Sequence, residues 1–443
     1  MTIYALSSGP GISGIAVIRV SGDKTEKIIS SLTKSVLTKS RVATLKKFIN
    51  PKNGELIDEG LVIFFKGPNS YTGEDMAEFH VHGSKAVVQE LLNVLEEYDY
   101  CRLAEPGEFT KIAFQNNKIN LLKAESIGDL IAAEPELQRK QALKIMSGHS
   151  SQKFNYWREE LIKILAEIEA KIDFPDEGIP ENLSKDTKSK CEKIKNEIKL
   201  TLEDNNAGEI IREGFRIAII GPPNVGKSSL LNYLSKREAA IVSEKAGTTR
   251  DVIEIHLDLD GVPVIVSDTA GIRDSGDEIE EKGVKLAINR AENADLNIIV
   301  LDPKSLDFKG FYNKKLEDKS ILAINKSDLV GENLKSLSFK INPIIISIKQ
   351  DKNVDKLIDA VKIKLRKQFL KTENVLITRS RHRLHLNKCY KHLEVFLNKK
   401  NNHDYDLAAE DLRLSIRHLG TIVGKVDVEE ILGSIFENFC IGK

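Results

Sequence analysis

The chain has 443 residues, and its 66 Lys and Arg balance its 66 Asp and Glu, so the formal net charge is zero. This length is too great for a single hydrophobic core and predicts roughly two to four domains. The neutral balance excludes a protein that is basic overall, so any contact with nucleic acid must be local. A charged fraction of 30% without a long apolar run excludes a membrane span, and the start of the chain lacks a signal-peptide pattern.

The first part of the chain, residues 1–118, alternates short apolar runs with glycine-containing turns, which predicts an α+β domain. Its predicted strands are Ile15–Val20, Leu61–Phe65 and Met76–His82. From residue 119 to residue 209 the pattern is helical. One predicted helix carries an apolar residue at every third or fourth position and so buries one stripe, formed by Leu161, Ile164, Leu165, Ile168 and Ile172. Asp204–Gly208 is the predicted linker into the next domain.

A phosphate-binding loop is predicted at Gly221–Ser228, which matches G-x-x-x-x-G-K-[ST]. It follows an apolar strand, Phe215–Ile220, and precedes a helical segment, Ser228–Leu234, which is the context this motif requires. Backbone N–H groups of such a loop point at the phosphates, and the helix N-terminus adds a favourable dipole. Lys227 is placed to reach the β- and γ-phosphates, and the Ser228 hydroxyl to bind Mg²⁺. The nucleotide-contacting residues predicted here are Asn224, Val225, Gly226, Lys227, Ser228 and Ser229.

Two further motifs stand in the order of a GTPase. Gly247–Asp251 lies where a switch segment belongs, and Thr249 is the candidate second hydroxyl on Mg²⁺. Asp268–Gly271 follows the predicted strand Val262–Ser267, with Asp268 placed to hold the metal through water. The predicted nucleotide contacts in these segments are Ser243, Glu244, Lys245, Ala246, Gly247, Thr248, Thr249, Asp268, Thr269, Ala270 and Gly271.

A base-reading loop, Asn325-Lys326-Ser327-Asp328, follows the apolar run Ile321–Ile324. A carboxylate at Asp328 can accept two hydrogen bonds from the guanine edge, which adenine does not offer, so GTP is predicted rather than ATP. Ser347–Lys349, after Pro343–Ile346, is predicted to be the last base-contacting loop. Ile348 replaces the usual Ala there, which is tolerable if only its backbone N–H is used.

The water-orienting residue of this domain is not evident. Ras-type enzymes place Gln directly after the D-T-A-G motif, but this chain has Ile272, which cannot orient water. The polar segment after Ile272 has two interpretations. It is either a solvated acidic switch, or it contains the residue that orients the attacking water. The candidates are Arg273, Asp274, Asp277, Glu278, Glu280 and Glu281.

These patterns predict a multidomain α/β protein. A Ras-like P-loop GTPase domain over 210–370 is inserted into a helical domain formed by 119–209 and 371–443. Between Lys362 and Lys400, twelve Lys and Arg are opposed only by Glu373 and Glu394. This segment is either a solvated surface or a phosphate-binding footprint for a nucleic acid. The densest part contains Arg379, Arg381, His382, Arg383 and His385.

The four cysteines are Cys101, Cys191, Cys389 and Cys440, and their spacing fits neither a zinc site nor a disulfide framework. Reduced thiols in the cytoplasm are therefore expected. Cys440, beside Phe439 and Ile441, is either a small buried hydrophobe or, because it is close to the C-terminus, an accessible thiol.

Several of these segments together resemble the MnmE (TrmE) family of tRNA modification GTPases. Most specific is the terminal Phe439-Cys-Ile-Gly-Lys443. The others, besides the GTPase motifs, are Gly67–Asp75, His80–Gly83, Pro106–Thr110 and Ile172–Pro175.

The resemblance implies a potassium-dependent GTPase that, with the FAD-dependent partner MnmG in a heterotetramer, supports a 5-carboxymethylaminomethyl-type modification of the wobble uridine (position 34) of certain tRNAs. It implies that K⁺ acts in place of an arginine finger, that Glu280 orients the water, and that Cys440 is needed for tRNA modification and not for GTP hydrolysis. It also implies a homodimer whose N-terminal domain binds 5-formyltetrahydrofolate. The implied ligands are Asn224, Ser243, Lys245 and Thr248 for K⁺, and Arg19, Glu78, Lys118 and Lys443 for the folate.

Two departures from the family pattern stand out. Ser7–Gly14 replaces a Thr-Pro-Pro-Gly tract near the start, and Thr421 replaces a Glu in Gly420–Gly424. A ribosome-assembly GTPase that acts as a binding switch is the alternative function, and a folate-dependent one-carbon transferase without GTPase chemistry is a third. The N-terminal domain and the Phe439–Lys443 tail favour the first interpretation.

Overall fold

The structure is a computed structural model that describes most of the chain. The described residues are 1–36, 39–173, 181–237, 240–241, 254–268, 289–306, 319–329, 341–369, 375–399, 405–426, 429–436 and 439–442. The chain divides into two compact units. Unit 1 comprises Met1–Gly128, Ile145–Cys191 and Lys391–Lys443, and unit 2 comprises Asp129–Lys144 and Glu192–Tyr390. This division into two units does not test the predicted domain boundaries at residues 118, 209 and 370, which stay predictions.

Unit 1 contains a six-stranded sheet in the order β3-β4-β5-β2-β1-β6. Its strands are β1 (Thr2–Leu6), β2 (Ser13–Ser21), β3 (Thr44–Ile49), β4 (Leu56–Phe65), β5 (Met76–Gly83) and β6 (Cys101–Leu103). Strand β6 pairs with β1 in parallel and the other pairs are antiparallel. The three predicted strands are confirmed as parts of β2, β4 and β5.

Two helices cover one face of this sheet, α1 (Thr25–Thr33) and α2 (Lys85–Glu96). Alternate strand residues such as Ile18 and Phe79 point to that face and are fully buried with Leu91 of α2. The intervening residues lie on the other face, among them Arg19 and Glu78, which are register partners on β2 and β5. The sheet therefore places these two charged side chains next to each other.

The remaining helices of unit 1 contain two described groups of buried apolar residues. They are α3 (Glu108–Gln115), α4 (Leu121–Ile131, up to Gly128), α6 (His149–Asp173), the first half of α7 (Glu181–Leu202), the end of α11 (Ser380–Asn398), α12 (Tyr405–Val423) and α13 (Glu429–Phe436). In α6 the predicted stripe is confirmed: Leu161, Ile164 and Ile168 are buried, and Leu165 and Ile172 are partly buried. A second cluster joins Leu121 of α4 to Phe436 of α13 and to Phe439 beyond it.

Unit 2 contains a seven-stranded sheet in the order β13-β12-β11-β7-β10-β9-β8. Its strands are β7 (Phe215–Ile220), β8 (Ala240–Ile241), β9 (Glu254–Leu259), β10 (Val262–Asp268), β11 (Leu296–Leu301), β12 (Ser320–Ile324) and β13 (Ile344–Ile345). Strand β9 is antiparallel to both of its neighbours and the other pairs are parallel. The strands predicted before the four GTPase motifs are confirmed.

The helices of unit 2 are α5 (Glu136–Met146, up to Lys144), the end of α7, α8 (Ala207–Glu213), α9 (Lys227–Arg237), α10 (Val354–Phe369) and the start of α11. Apolar residues of α9 and α10 form one core with one face of the sheet. The strands β8 to β10 lie on one side of β7 and the strands β11 to β13 lie on the other. The strand order therefore reverses beside β7. Ligands of such sheets bind at the carboxyl ends of the strands beside this switch point.

The predicted linker Asp204–Gly208 is shorter than expected. Helix α8 begins at Ala207, and both Ala207 and Gly208 are buried. A Cβ on Gly208 would lie 2.1 Å from the carbonyl oxygen of Ile377, so this glycine permits a close backbone contact rather than a flexible turn. Only residues 203–206 connect α7 to α8.

Helices long and apolar enough to cross a membrane are absent from the described part of the chain.

Candidate functional site

The loop between β7 and α9 has the backbone that phosphate binding requires. Gly221 and Gly226 have φ of +152° and +103°, and Asn224 has φ of +61°. A Cβ on Gly221 would lie 2.1 Å from the carbonyl oxygen of Val300, and one on Gly226 would lie 2.3 Å from Nδ2 of Asn325. Side chains are therefore excluded at both glycines, and the loop can curl so that its N–H groups face one concave space.

The two polar residues at the start of α9 are already held at this loop. The Lys227 ammonium donates hydrogen bonds to the carbonyl oxygens of Gly221 (2.9 Å) and Pro222 (2.8 Å). Burial lowers the pKa of Lys227, and the nearby Asp268 carboxylate acts in the opposite direction. The Ser228 hydroxyl donates to Oδ2 of Asp268 at 2.6 Å. A hydroxyl and a carboxylate are hard oxygen ligands of the kind that Mg²⁺ prefers, so these residues fit the predicted metal site.

The base-reading loop is fixed to the phosphate loop by the side chains of Asn325 and Lys326. The Asn325 amide donates to the carbonyl oxygen of Val225 (2.8 Å), and its Oδ1 accepts from the N–H of Ile348 (3.2 Å). Lys326 Nζ donates to the carbonyl oxygen of Asn224 at 2.6 Å. Three separate motifs are thus connected at one edge of the sheet.

The Asp328 carboxylate, predicted to bind guanine, is oriented by the last predicted loop. The Ser347 hydroxyl donates to Oδ1 of Asp328 at 2.6 Å, and this hydrogen bond is the main cause that lowers the pKa of Asp328. Asp328 therefore stays ionised and able to accept hydrogen bonds. Ile348 uses its backbone N–H, and its side chain packs against the core. Its departure from the usual Ala is compatible with the loop.

One residue of this site was missed from the sequence. Asp302 directly follows β11 and forms an ion pair with Lys326 at 3.0 Å. An acidic residue immediately after a fully buried strand of a parallel sheet was the available signal, because such positions lie at the ligand-binding edge. Val225 is buried beneath the loop, and Ser229 is exposed in the first turn of α9.

Several predicted site residues lie outside the described part of the chain. They are Ser243, Glu244, Lys245, Ala246, Gly247, Thr248, Thr249, Thr269, Ala270, Gly271, Glu280 and Lys443. Their roles stay predictions.

In unit 1, the predicted folate residues are brought together only in part. Arg19 and Glu78 form an ion pair at 2.9 Å, and the Arg19 guanidinium lies 5.7 Å from the ring centres of both Tyr71 and Phe109. The Lys118 ammonium donates instead to the carbonyl oxygen of Pro68 at 2.6 Å, outside that ion pair. The Arg19 charge is therefore already paired by Glu78, in a partly aromatic environment.

The C-terminal segment Phe439–Gly442, called here the tail, lies on the N-terminal domain beside this ion pair. Ile441 pairs with Pro106 in an isolated β-bridge, and the carbonyl oxygen of Gly442 accepts a hydrogen bond from Arg19. Cys440 is exposed, whereas the other three cysteines are buried. Of the two interpretations for Cys440, the accessible thiol is the observed one.

The densest part of the basic segment is paired within unit 2. Arg379 contacts Asp129 at 2.7 Å, and Arg383 contacts Asp204 and Glu209, both at 2.6 Å. Only 19% and 16% of the two arginine side chains are exposed. This favours a structural role for Arg379 and Arg383 over the predicted phosphate-binding footprint, because paired and buried charges contribute little to phosphate attraction.

Comparison with known proteins covers the whole chain. The family model described as MnmE helical domain matches residues 121–440, and that described as GTP-binding protein TrmE N-terminus matches residues 2–118. The tRNA modification GTPase MnmE of Pelagibacter ubique (strain HTCC1062) is 60% identical over 443 residues, with 100% of both chains covered. The protein of the same name from Rickettsia bellii (strain RML369-C) is 45% identical, again with 100% of both chains covered.

Among solved structures, a single-residue variant of Aquifex aeolicus Era bound to GDP·AlF4⁻ is 23% identical, covers 42% of this chain and 68% of its own, and has a TM-score of 0.26. Family membership rests on the sequence matches alone. With one family model spanning residues 121–440, another spanning residues 2–118, and relatives matched from end to end, the chain belongs to the MnmE family of tRNA modification GTPases.

Proposed function

We propose that this chain hydrolyses GTP with bound Mg²⁺ and K⁺ and couples hydrolysis to modification of the wobble uridine of certain tRNAs. One observation supports the nucleotide part most strongly. The Ser228–Asp268 pair and the Ser347–Asp328 pair lie on loops that Asn325 and Lys326 connect. This arrangement provides oxygen ligands at the phosphate end and a fixed carboxylate at the base end of one site.

The metal ions have distinct roles in this proposal. Mg²⁺, when bound, neutralises charge on the β- and γ-phosphate oxygens. Ser228 and Thr249 are the proposed hydroxyl ligands, with Asp268 acting through water. Lys227 pairs with the same phosphates, and its present bonds to two loop carbonyls hold it at the required place.

Potassium replaces an arginine finger in this proposal, as the family resemblance implies. K⁺, when bound, supplies positive charge to the phosphates. Asn224, Ser243, Lys245 and Thr248 are the proposed ligands. Asn224 is exposed on the phosphate loop and has a left-handed backbone conformation. Glu280 is the proposed water-orienting residue.

The modification chemistry is assigned to unit 1. We place 5-formyltetrahydrofolate at the Arg19–Glu78 ion pair, with Lys118 and Lys443 as further contacts, and Cys440 as the thiol that modification requires. Two observations support this assignment: the Cys440 thiol is exposed, and Gly442, two residues further along the tail, contacts Arg19 of that ion pair. The product is a 5-carboxymethylaminomethyl-type uridine, made in the cytoplasm with the FAD-dependent partner MnmG in a heterotetramer.

The proposed homodimer uses the N-terminal sheet. The face opposite α1 and α2 exposes cross-strand partners Leu45 and Leu61, at 60% and 38%, and Ile15 at 64%. Burying such a face against a second copy is favourable because it removes apolar surface from water.

The test compares GTP turnover in KCl and NaCl at equal ionic strength, with ATP as the control nucleotide. Much faster turnover in KCl, and none with ATP, is expected, because the site has a carboxylate for guanine and relies on K⁺ for charge. Equal rates in the two salts would contradict the potassium role. Nucleoside analysis of tRNA from a deletion strain, with and without this chain restored, tests the modification. Unchanged wobble uridines would contradict the tRNA function.

A further inference from the structure

A side-chain hydrogen bond from the end of the first strand reaches the C-terminal tail. The hydroxyl of Ser7 donates to the carbonyl oxygen of Gly442 at 2.8 Å, across 435 residues of sequence. Ser7 directly follows β1, and its own N–H donates to the carbonyl oxygen of Val17 at 2.7 Å. The sheet therefore fixes the backbone of Ser7 and leaves its hydroxyl available to the tail.

The same carbonyl oxygen is held less closely by a second donor. Nη1 of Arg19 lies 3.4 Å from it, and that guanidinium is engaged mainly with Glu78. On the other side of the tail, the N–H of Gly107 donates to the carbonyl oxygen of Cys440 at 3.4 Å. Ser7 thus makes the shortest polar contact described for the tail.

Gly442 can occupy this place only because it has no side chain. Its φ is +92°, and a Cβ would lie 2.3 Å from the carbonyl oxygen of Leu6 and 2.9 Å from the Cα of Ser7. Both atoms belong to the backbone at the end of β1, and they cannot move without disturbing the sheet. The tail is therefore fitted against the end of β1.

Cys440 is two residues from Gly442, so its Cα can be no more than about 7 Å from that of Gly442. We propose that Ser7 is a positioning residue for tRNA modification: by holding the Gly442 carbonyl, it fixes the place of the Cys440 thiol beside the Arg19–Glu78 pair. This inference rests on the proposed role of Cys440. Ser7 belongs to the segment that departs from the usual Thr-Pro-Pro-Gly tract.

The adjacent serine provides a matched control. The Ser8 hydroxyl accepts a hydrogen bond from the N–H of Val17 at 3.2 Å and so contacts the sheet rather than the tail. Ser8→Ala removes a hydroxyl one residue away without touching the tail. Ser7→Thr keeps the hydroxyl, and Gly442→Ala displaces the tail from the opposite side of the contact.

A nitroxide spin label on Cys440 of the full-length protein measures tail position without any activity assay. The other three cysteines are buried, so labelling is selective. We expect an immobilised label in wild type, Ser7→Thr and Ser8→Ala. Ser7→Ala should reduce the docked-to-free ratio of the tail by about threefold to tenfold, the usual effect of one lost hydrogen bond. Gly442→Ala should release the label almost fully.

The unlabelled variants are then compared for wobble-uridine modification in cells and for GTP hydrolysis. Modification should fall several-fold with Ser7→Ala, fall further with Gly442→Ala, and stay near wild type with Ser7→Thr and Ser8→Ala. GTP hydrolysis should stay within about twofold throughout, because none of these changes removes a contact of the nucleotide site. A thermal unfolding curve of each variant shows whether unit 1 is folded.

Two results would overturn the inference itself: a Ser7→Ala label as immobile as in wild type, or a mobile label with normal modification. Cys440→Ser tests the underlying function separately. Normal modification in that strain would refute the role of the thiol and leave Ser7 no reaction to position, even if the label shows that Ser7 docks the tail.

Discussion

The nucleotide site of unit 2 and the tail site of unit 1 are built in opposite ways. In unit 2, each functional loop is a short contiguous motif that directly follows a strand, as Gly221–Ser228 follows β7 and Asn325–Asp328 follows β12. In unit 1, the site is made of single residues, Ser7, Arg19 and Glu78 with the tail, drawn from the two ends of the chain. A contiguous motif can be identified from the sequence, whereas a site made from scattered residues requires the fold.

The chemistry of the two sites differs as well. The nucleotide site positions charges and hydrogen-bond donors around phosphates and needs no reactive nucleophile from the protein. The tail site presents the one exposed thiol among four cysteines, and burial raises the pKa of the Cys101 thiol to about 11. The two sites should therefore fail independently when single residues are changed.

The largest expected effect is the loss of modification in Cys440→Ser. The change should abolish or greatly reduce wobble-uridine modification, because a hydroxyl is a much poorer nucleophile than a thiolate. GTP hydrolysis with K⁺ should stay within about twofold of wild type, since no contact with the transition state is removed. Nucleoside analysis and a phosphate-release assay on the same variant measure the two effects.

Cys389→Ser is the matched control for that change, because Cys389 is a fully buried cysteine. Modification should persist in this variant to the extent that it folds. Loss of GTPase activity in a folded Cys440→Ser protein would break the comparison, since it would mean that the tail supports the nucleotide site.

A second expected effect is confined to GTP hydrolysis. Glu280→Ala should lower kcat on the order of a hundredfold with GTP binding little changed, because a residue that orients water acts in the transition state. Asp277→Ala and Glu281→Ala, in the same acidic run, should change kcat far less. Similar rates in all three variants would instead assign the run to a solvated switch.

The strands of the nucleotide site and the positions of its described loops could be predicted from the sequence. They follow from motif order and apolar runs, because parallel strands bring their carboxyl ends to one edge. The Ser347–Asp328 hydrogen bond was not predicted, and the roles of the switch residues stay predictions. Asp302 was missed because a single acidic residue after a strand has many ordinary explanations. It was its contact with Lys326 that identified it.

Outside that site, prediction failed where the outcome depends on distant partners. The glycine in Asp204–Gly208 suggested a linker, yet Gly208 is needed for its close approach to Ile377. Arg379 and Arg383 belonged to a run of like charge, but Asp129, Asp204 and Glu209 neutralise them from other segments. The Ser7–Gly442 contact had no signal in the sequence at all, because nothing local to Ser7 indicates the other end of the chain.

The smallest expected effect concerns Ser347 and the predicted base-reading carboxylate of Asp328. It tests whether GTP binding depends on the direction of this carboxylate as well as on its charge. Ser347 is fully buried, and its hydroxyl fixes one oxygen of Asp328. Ser347→Ala keeps the carboxylate but frees it to rotate, so GTP affinity should fall about tenfold, as expected for a lost hydrogen bond to a charged group. Inosine triphosphate lacks the 2-amino group of guanine and offers Asp328 one hydrogen bond fewer. The affinity for inosine triphosphate should fall less than that for GTP, so the preference for GTP over inosine triphosphate should shrink.

An equal fall in affinity for both nucleotides, measured by titration calorimetry, would mean that Ser347 supports the loop as a whole rather than the direction of the Asp328 carboxylate. The Cys440 spin label should be unchanged in this variant, because no residue of the tail site depends on Ser347.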